Sequence, residues 1–193
     1  MLDHSTQSGR HSNAERGRDL YSPPAVAIEA LLTVEQLPHW LWEPAAGRGA
    51  IARVLRDRGH AVICSDIVRY DDFDLHFTAD FLAAERAPAD CRAIITNPPF
   101  QIADRFVRHA LELVPRLYLL CRLAFLESER RADILEGGAL ARVHVFRKRL
   151  PFMHRDGWQG GRASSAIPFA WFVWDREHRG AAAIDRISWE LAP

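Results

Sequence analysis

Short apolar runs alternate with helical patterns through most of this chain, and that alternation restricts the fold more than any other feature. "WLWEPAAG" reads as a short strand ending in a turn. "AVICSDI", "DLHFTADF", "RAIITNPPF" and "RLYLLCRLAF" read as further strands. Helical spacing of apolar residues falls between them, in "AIARVLRDRGH", which Gly59 stops, and in "IADRFVRHALELV". "ESERRADILEGG" is a third helix closed by glycines, and "YSPPAVAIEALLTVEQL" precedes the first strand, with Ser22 as N-cap and Pro23 at the first helical position. Strands separated by helices predict a parallel sheet with helices on both faces. Two further strand-like runs, "ARVHVFRKRL" and "AIPFAWFVWDR", are close enough in sequence to pair antiparallel as an edge hairpin.

The 193 residues suffice for one sizeable domain, and no linker divides residues 19–193. Residues 1–18 are polar and aperiodic, and are expected to form a flexible tail. Formal net charge is zero, so attraction to nucleic acid has to come from a local patch. Cys64, Cys91 and Cys121 are widely spaced, with no CxxC or Cys/His cluster, so neither a disulfide framework nor a metal site is expected. No apolar run approaches the ~20 residues of a membrane span. A signal-peptide core is not seen, and a cytoplasmic location is expected.

"EPAAGRGAIA" follows the first strand and opens a helix. Gly47 and Gly49 suit a sharp turn in which backbone approaches a ligand. Gly47, Gly49 and Ala52 also match the dinucleotide fingerprint formally, so NAD has to be weighed. Asp66 ends the second strand nineteen positions after Gly47, where a carboxylate can accept from both ribose hydroxyls. Glu43, just before the turn, repels a pyrophosphate and suits a ligand bearing an ammonium and a sulfonium. That favours S-adenosylmethionine over NAD. Asp80 and Phe81 after the third strand could contact an adenine ring, although Asp at a strand end is also ordinary turn chemistry.

The fourth strand ends in "NPPF". In an open parallel sheet the ligand lies beyond the carboxyl ends of the strands, at the switch point of strand order. Asn97 would then adjoin the glycine turn. An exocyclic amino group is a poor nucleophile because its lone pair is delocalised. The Asn97 side-chain oxygen and the Pro98 carbonyl can each accept one of its N–H bonds and aim the lone pair at a methyl donor. Pro98 and Pro99 stiffen the corner, and Phe100 offers a face for a planar substrate, worth roughly 1–3 kcal/mol for a base. A plain strand terminator is the competing explanation of the two prolines.

The order "EPAAGRG", Asp66, "ADF", "NPPF" resembles class I S-adenosylmethionine-dependent methyltransferases of the amino-group type, and is most similar to N6-adenine DNA methyltransferases. The resemblance covers roughly residues 20 to 125. It implies a Rossmann-like methyltransferase fold, with a mostly parallel seven-stranded sheet. It also implies that Tyr21, Pro23, Glu43, Pro44, Ala45, Gly47, Gly49, Asp66, Ile67, Asp80, Phe81 and Asn97 hold the cofactor. The implied activity is methylation of an exocyclic amino nitrogen, with adenine N6 in DNA favoured. No separate target-recognition domain is expected, and similar motifs occur in enzymes acting on RNA bases and on protein glutamine. Those substrates stay open, as do an NAD-linked oxidoreductase and a non-catalytic nucleic-acid-binding module.

A nucleic-acid partner draws on one further stretch, "RVHVFRKRLPFMHRDGWQGGR". Arg147, Arg149, His154, Arg155 and Trp158 combine positive charge with aromatic surface, which suits a phosphate backbone and an unstacked base. A solvated edge strand with a connecting loop accounts for the same residues.

Overall fold

The computed structural model describes residues 22–88, 90–151 and 167–190. Twelve regular elements follow in chain order. They are α1 (Ala25–Leu32), β1 (Trp40–Glu43), α2 (Ala50–Asp57), β2 (Ala61–Asp66), β3 (Phe77–Thr78), β4 (Ala93–Thr96), α3 (Ala103–Leu113), β5 (Arg116–Arg122), α4 (Ala132–Glu136), β6 (Leu140–Phe146), β7 (Phe169–Asp175) and β8 (Ala183–Ile187). They form one sheet in the order β3-β2-β1-β4-β5-β7-β6-β8. β7 is antiparallel to β5 and β6, and the other pairings are parallel.

Alternation along each strand sorts the core onto the two faces. Leu41, Ile95, Tyr118, Trp171 and Val173 pack with α1 and α2, while Trp42, Ile94, Leu117, Phe172 and Trp174 pack with α3 and α4. The aromatic run of β7 is therefore core on both faces. The Trp171 indole donates to the Ala27 carbonyl at 2.8 Å and the Trp174 indole to that of Ile134 at 2.8 Å, so each buried N–H has an acceptor.

Two expectations are corrected. α1 begins at Ala25 with Pro24 as its N-cap, and no side chain caps it, so Ser22 and Pro23 lie ahead of the helix. A residue that precedes a proline is pushed out of the helical region, and Pro23 precedes Pro24. The sheet also has eight strands where seven were expected. β8 runs parallel to β6 and covers the edge that the β6–β7 hairpin would have formed. Its burial pattern explains the omission: four of five residues are exposed, and only Ile187 enters the core. Main-chain pairing holds such a strand with little hydrophobic signal.

Strand order reverses between β1 and β4, which are neighbours through Trp42 and Ile94. Their carboxyl ends carry Glu43 with the glycine turn and Thr96 with the NPPF corner. Because β7 is antiparallel to both neighbours, the carboxyl ends of β5 and β6 open onto the same rim. No helix among the described residues is long and apolar enough to cross a membrane.

Candidate functional site

Beyond the β1/β4 switch point lies a cavity of about 560 Å³. Pro44 and Ala45 line it from the turn after β1, Asp66 from the end of β2, Ile67, Val68 and Tyr70 from the segment that follows, and Ala79, Asp80 and Phe81 from the turn after β3. Asn97, Pro99, Gln101, Ile102 and Phe106 close the side formed by β4 and α3. Eight of the residues expected from the sequence thus share one wall-to-wall space.

Local folding fixes each of them. The Gly47 amide donates to Asp66 Oδ2 at 2.8 Å and the Val68 amide to Oδ1 at 3.0 Å. Both carboxylate oxygens are anchored, and each keeps a lone pair for a further donor. The amides of the glycine turn itself are used within the fold. The Gly47 N–H is held by Asp66, the Gly49 N–H is held by the Ala46 carbonyl at 2.7 Å, and neither glycine is among the lining residues. Gly49 sits at φ +75°, and the Phe73 ring occupies the space that a Cβ would need. Its missing side chain lets the loop after β2 pack down. Arg53 lies over that ring at 5.1 Å and donates to the Asp72 carbonyl at 2.7 Å, tying the loop to α2.

Asp80 uses Oδ1 to cap the turn Phe81–Ala83, accepting from the Leu82 amide at 2.9 Å. This is the turn chemistry weighed from the sequence, and the residue still faces the cavity. Phe81 is buried against Trp42 and Phe106, with centroids 5.3 and 4.6 Å away. Ile67 is 65% exposed although apolar, a side chain left uncovered at the mouth of the cavity.

Glu43 is buried behind Pro44 and Ala45 and does not line the cavity. Burial pushes its carboxyl well above the usual carboxylate range. The Ala52 amide and the Arg56 charge oppose that shift, and Asp66 adds to it. Its Oε2 has no hydrogen-bond partner among the described residues. Cys64 beside it is pushed up to about 12, by burial and then by the Glu43 charge, with Arg56 opposing.

At the NPPF corner, Asn97 is half-buried at the end of β4, and Pro98 is buried outside the lining. Phe100 packs on Phe169 at 5.8 Å, and the Arg122 guanidinium lies 4.3 Å from its ring centroid. The sequence reading missed Arg122, because nothing in "RLYLLCRLAF" distinguishes it from Arg116. It also missed Val68, Tyr70, Ala79, Gln101, Ile102 and Phe106. Ile102 and Phe106 were accessible from the four-residue spacing that follows NPPF. Val68 and Tyr70 lie in an aperiodic loop with no such signal.

Pro23 is buried and is not among the lining residues. Arg147 and Arg149 are exposed after β6, on the carboxyl rim. Tyr21, His154, Arg155 and Trp158 lie outside the described residues, as does the tail 1–18.

The charged residues among the cavity lining are Asp66 and Asp80. These two carboxylates favour a cationic ligand and oppose a pyrophosphate, whereas Glu43, expected from the sequence to repel a pyrophosphate, is buried behind them and held neutral by desolvation. The donor set fits S-adenosylmethionine on three counts: Asp66 suits ribose hydroxyls, Asp80 suits an adenine amino group, and Ile67 and Ile102 provide apolar surface for the ring.

No protein-family model matches the sequence, and no curated protein does. Solved structures share the shape. A candidate RNA methyltransferase from Pyrococcus horikoshii superposes with a TM-score of 0.59 at 14% identity, covering 86% of this chain and 90% of its own. A candidate class I S-adenosylmethionine-dependent methyltransferase from Listeria monocytogenes gives 0.62 at 10% identity, covering 88% and 66%. The modification subunit of a candidate type I restriction enzyme from Vibrio vulnificus gives 0.58 at 14%, covering 90% and 48%. The chain thus spans just under two thirds of the second protein and about half of the third. At such identities the likeness shows the fold, which is the Rossmann-like fold of class I methyltransferases.

Proposed function

We propose that this chain transfers a methyl group from S-adenosylmethionine to an exocyclic amino nitrogen of a nucleic-acid base, with adenine N6 in DNA favoured by the order of its motifs. One observation carries the reading: Asn97 and Pro99 share a cavity with Asp66 and Asp80 across the β1/β4 switch point. On this reading the same corner of the sheet would hold the cofactor and bring the Asn97 amide beside it. Two of the structural neighbours are described as acting on RNA or as a restriction-modification subunit, which supports a nucleic-acid substrate by analogy. The acid-lined cavity disfavours the NAD-linked alternative.

When bound, the cofactor would supply a methyl group on a positive sulfonium, already activated for transfer. Asp66 would hold the ribose and Asp80 the adenine edge. The Asn97 side-chain oxygen and the Pro98 carbonyl would each accept an N–H of the target amino group, localising its lone pair. The proton lost after transfer leaves from the substituted nitrogen to water. Phe100 would bound the target base on one side, with its own position fixed by Arg122 and Phe169.

The test incubates the protein with methyl-labelled cofactor and separate pools of DNA, RNA and protein, followed by nucleoside analysis. N6-methyladenine is the expected product, in the DNA pool. A ring-carbon methyl such as 5-methylcytosine would overturn the mechanism, and label confined to protein would overturn the substrate class. Asn97→Ala should lower kcat by about 10²–10³-fold, the usual effect of losing one preorganised hydrogen bond at a reacting centre.

A further inference from the structure

β5 carries an arginine at each end, and the two are treated differently. At the amino end, Arg116 pairs with Asp175 on β7, Nε to Oδ2 at 3.0 Å. At the carboxyl end, Arg122 stands beside the NPPF corner, and no carboxylate among the described residues lies within ion-pair distance of it. Its Nε is buried and has no hydrogen-bond acceptor among them. The guanidinium rests on the Phe100 ring instead, 4.3 Å from the centroid, and its β7 neighbour in register is Phe169.

A half-buried, permanently charged group with an unmet donor is expensive to keep unless a ligand supplies the anion. With Cζ over the ring and Nε buried, the Nη donors at the tip of the half-buried side chain are the ones left for a partner. Those donors match the forked oxygens of a phosphodiester. We propose that Arg122 is a substrate-binding residue that takes the backbone phosphate next to the target base, while its face holds Phe100 in place. The proposal rests on the nucleic-acid reading above and adds a named contact to it. It also explains why an arginine stands here: a lysine would carry the charge but could neither stack flat nor fork.

The test uses the full chain with an oligonucleotide substrate, in three variants. Arg122→Met keeps side-chain bulk against Phe100 without the charge, Arg122→Gln keeps polarity, and Arg122→Lys keeps charge alone. For Met and Gln, KM for the oligonucleotide should rise about tenfold or more, with S-adenosylhomocysteine affinity within twofold of wild type. The slope of log affinity against log salt should shrink by about 0.7–0.9, the value for one lost phosphate contact. Lysine should restore the slope but not the KM. Wild-type KM and slope in Arg122→Met would overturn the inference while leaving the proposed activity standing. So would parallel losses of cofactor affinity, oligonucleotide affinity and melting temperature in all three, since that pattern marks a purely structural role. A wild-type protein that methylates no nucleic acid would overturn the proposed function, and the inference with it.

Discussion

At the residue scale, Glu43 departs most from the ordinary behaviour of its type. A carboxyl buried at the end of a core strand is held in its neutral form by desolvation, so its folded-state value lies well above 4.5. The sign follows from linkage. A group that binds its proton more tightly when folded stabilises the protein fully below its unfolded value, and loses that contribution as pH rises toward the folded one. Wild-type stability should therefore decline from about pH 4.5 upward by a component that Glu43→Gln lacks, as urea midpoints across a pH series would show. A variant no more stable than wild type at pH 8 would contradict this. In the sequence, Glu43 was recognisable by position. Its depth behind Pro44 and Ala45 was not, because burial depends on α2 folding over it.

Between elements, α1 is anchored to the sheet by charge as well as by apolar contact. Glu35, just after the helix, accepts from both Arg142 Nε and Nη2, the latter at 3.0 Å, and from His144 Nε2 at 2.7 Å. His144 Nδ1 faces Asp185 of β8 at 3.8 Å. Burial alone would raise the Glu35 value, but the hydrogen bonds from His144 and Arg142 outweigh it and hold the carboxyl below its usual range. This contribution is present above the unfolded value and is lost as pH falls through the folded one. Glu35→Gln should cost about 2–3 kcal/mol at neutral pH, short of a fully buried pair because Arg142 is about one third exposed. It should also remove part of the acid limb of the stability profile, both read from chemical unfolding. None of this network was legible locally. Glu35 is more than a hundred positions from Arg142 and His144, and β8, which completes the network, has the exposure pattern of a loop. The helices α2 and α3, by contrast, were plain from apolar spacing, because each packs one stripe against a sheet face.

Across the whole molecule, a chain of zero net charge gathers cations on the rim where its pocket opens. Arg122 ends β5, and Arg147 and Arg149 follow β6. Lys148 is neutralised by Glu190 at 2.7 Å, whereas no ion pair is made by Arg147 or Arg149 among the described residues. Arg147→Glu with Arg149→Glu should weaken binding of an oligonucleotide and reduce its salt slope by about 1–2, with cofactor affinity and melting temperature unchanged. Filter binding at several salt concentrations, with a melting curve as control, checks this. The sequence by itself determined the alternating α/β architecture, the glycine turn after β1, the acid after β2 and the NPPF corner after β4. Each of these is written in a few consecutive residues, through periodicity and backbone restriction. Tertiary structure alone decided that Asp66 is held by the Gly47 and Val68 amides, that Phe73 fills the space beside Gly49, that Glu43 is walled off, and that Arg122 stacks on Phe100. Those outcomes depend on which strands become neighbours, and strand order is set by the packing of the whole sheet rather than by any local stretch of chain.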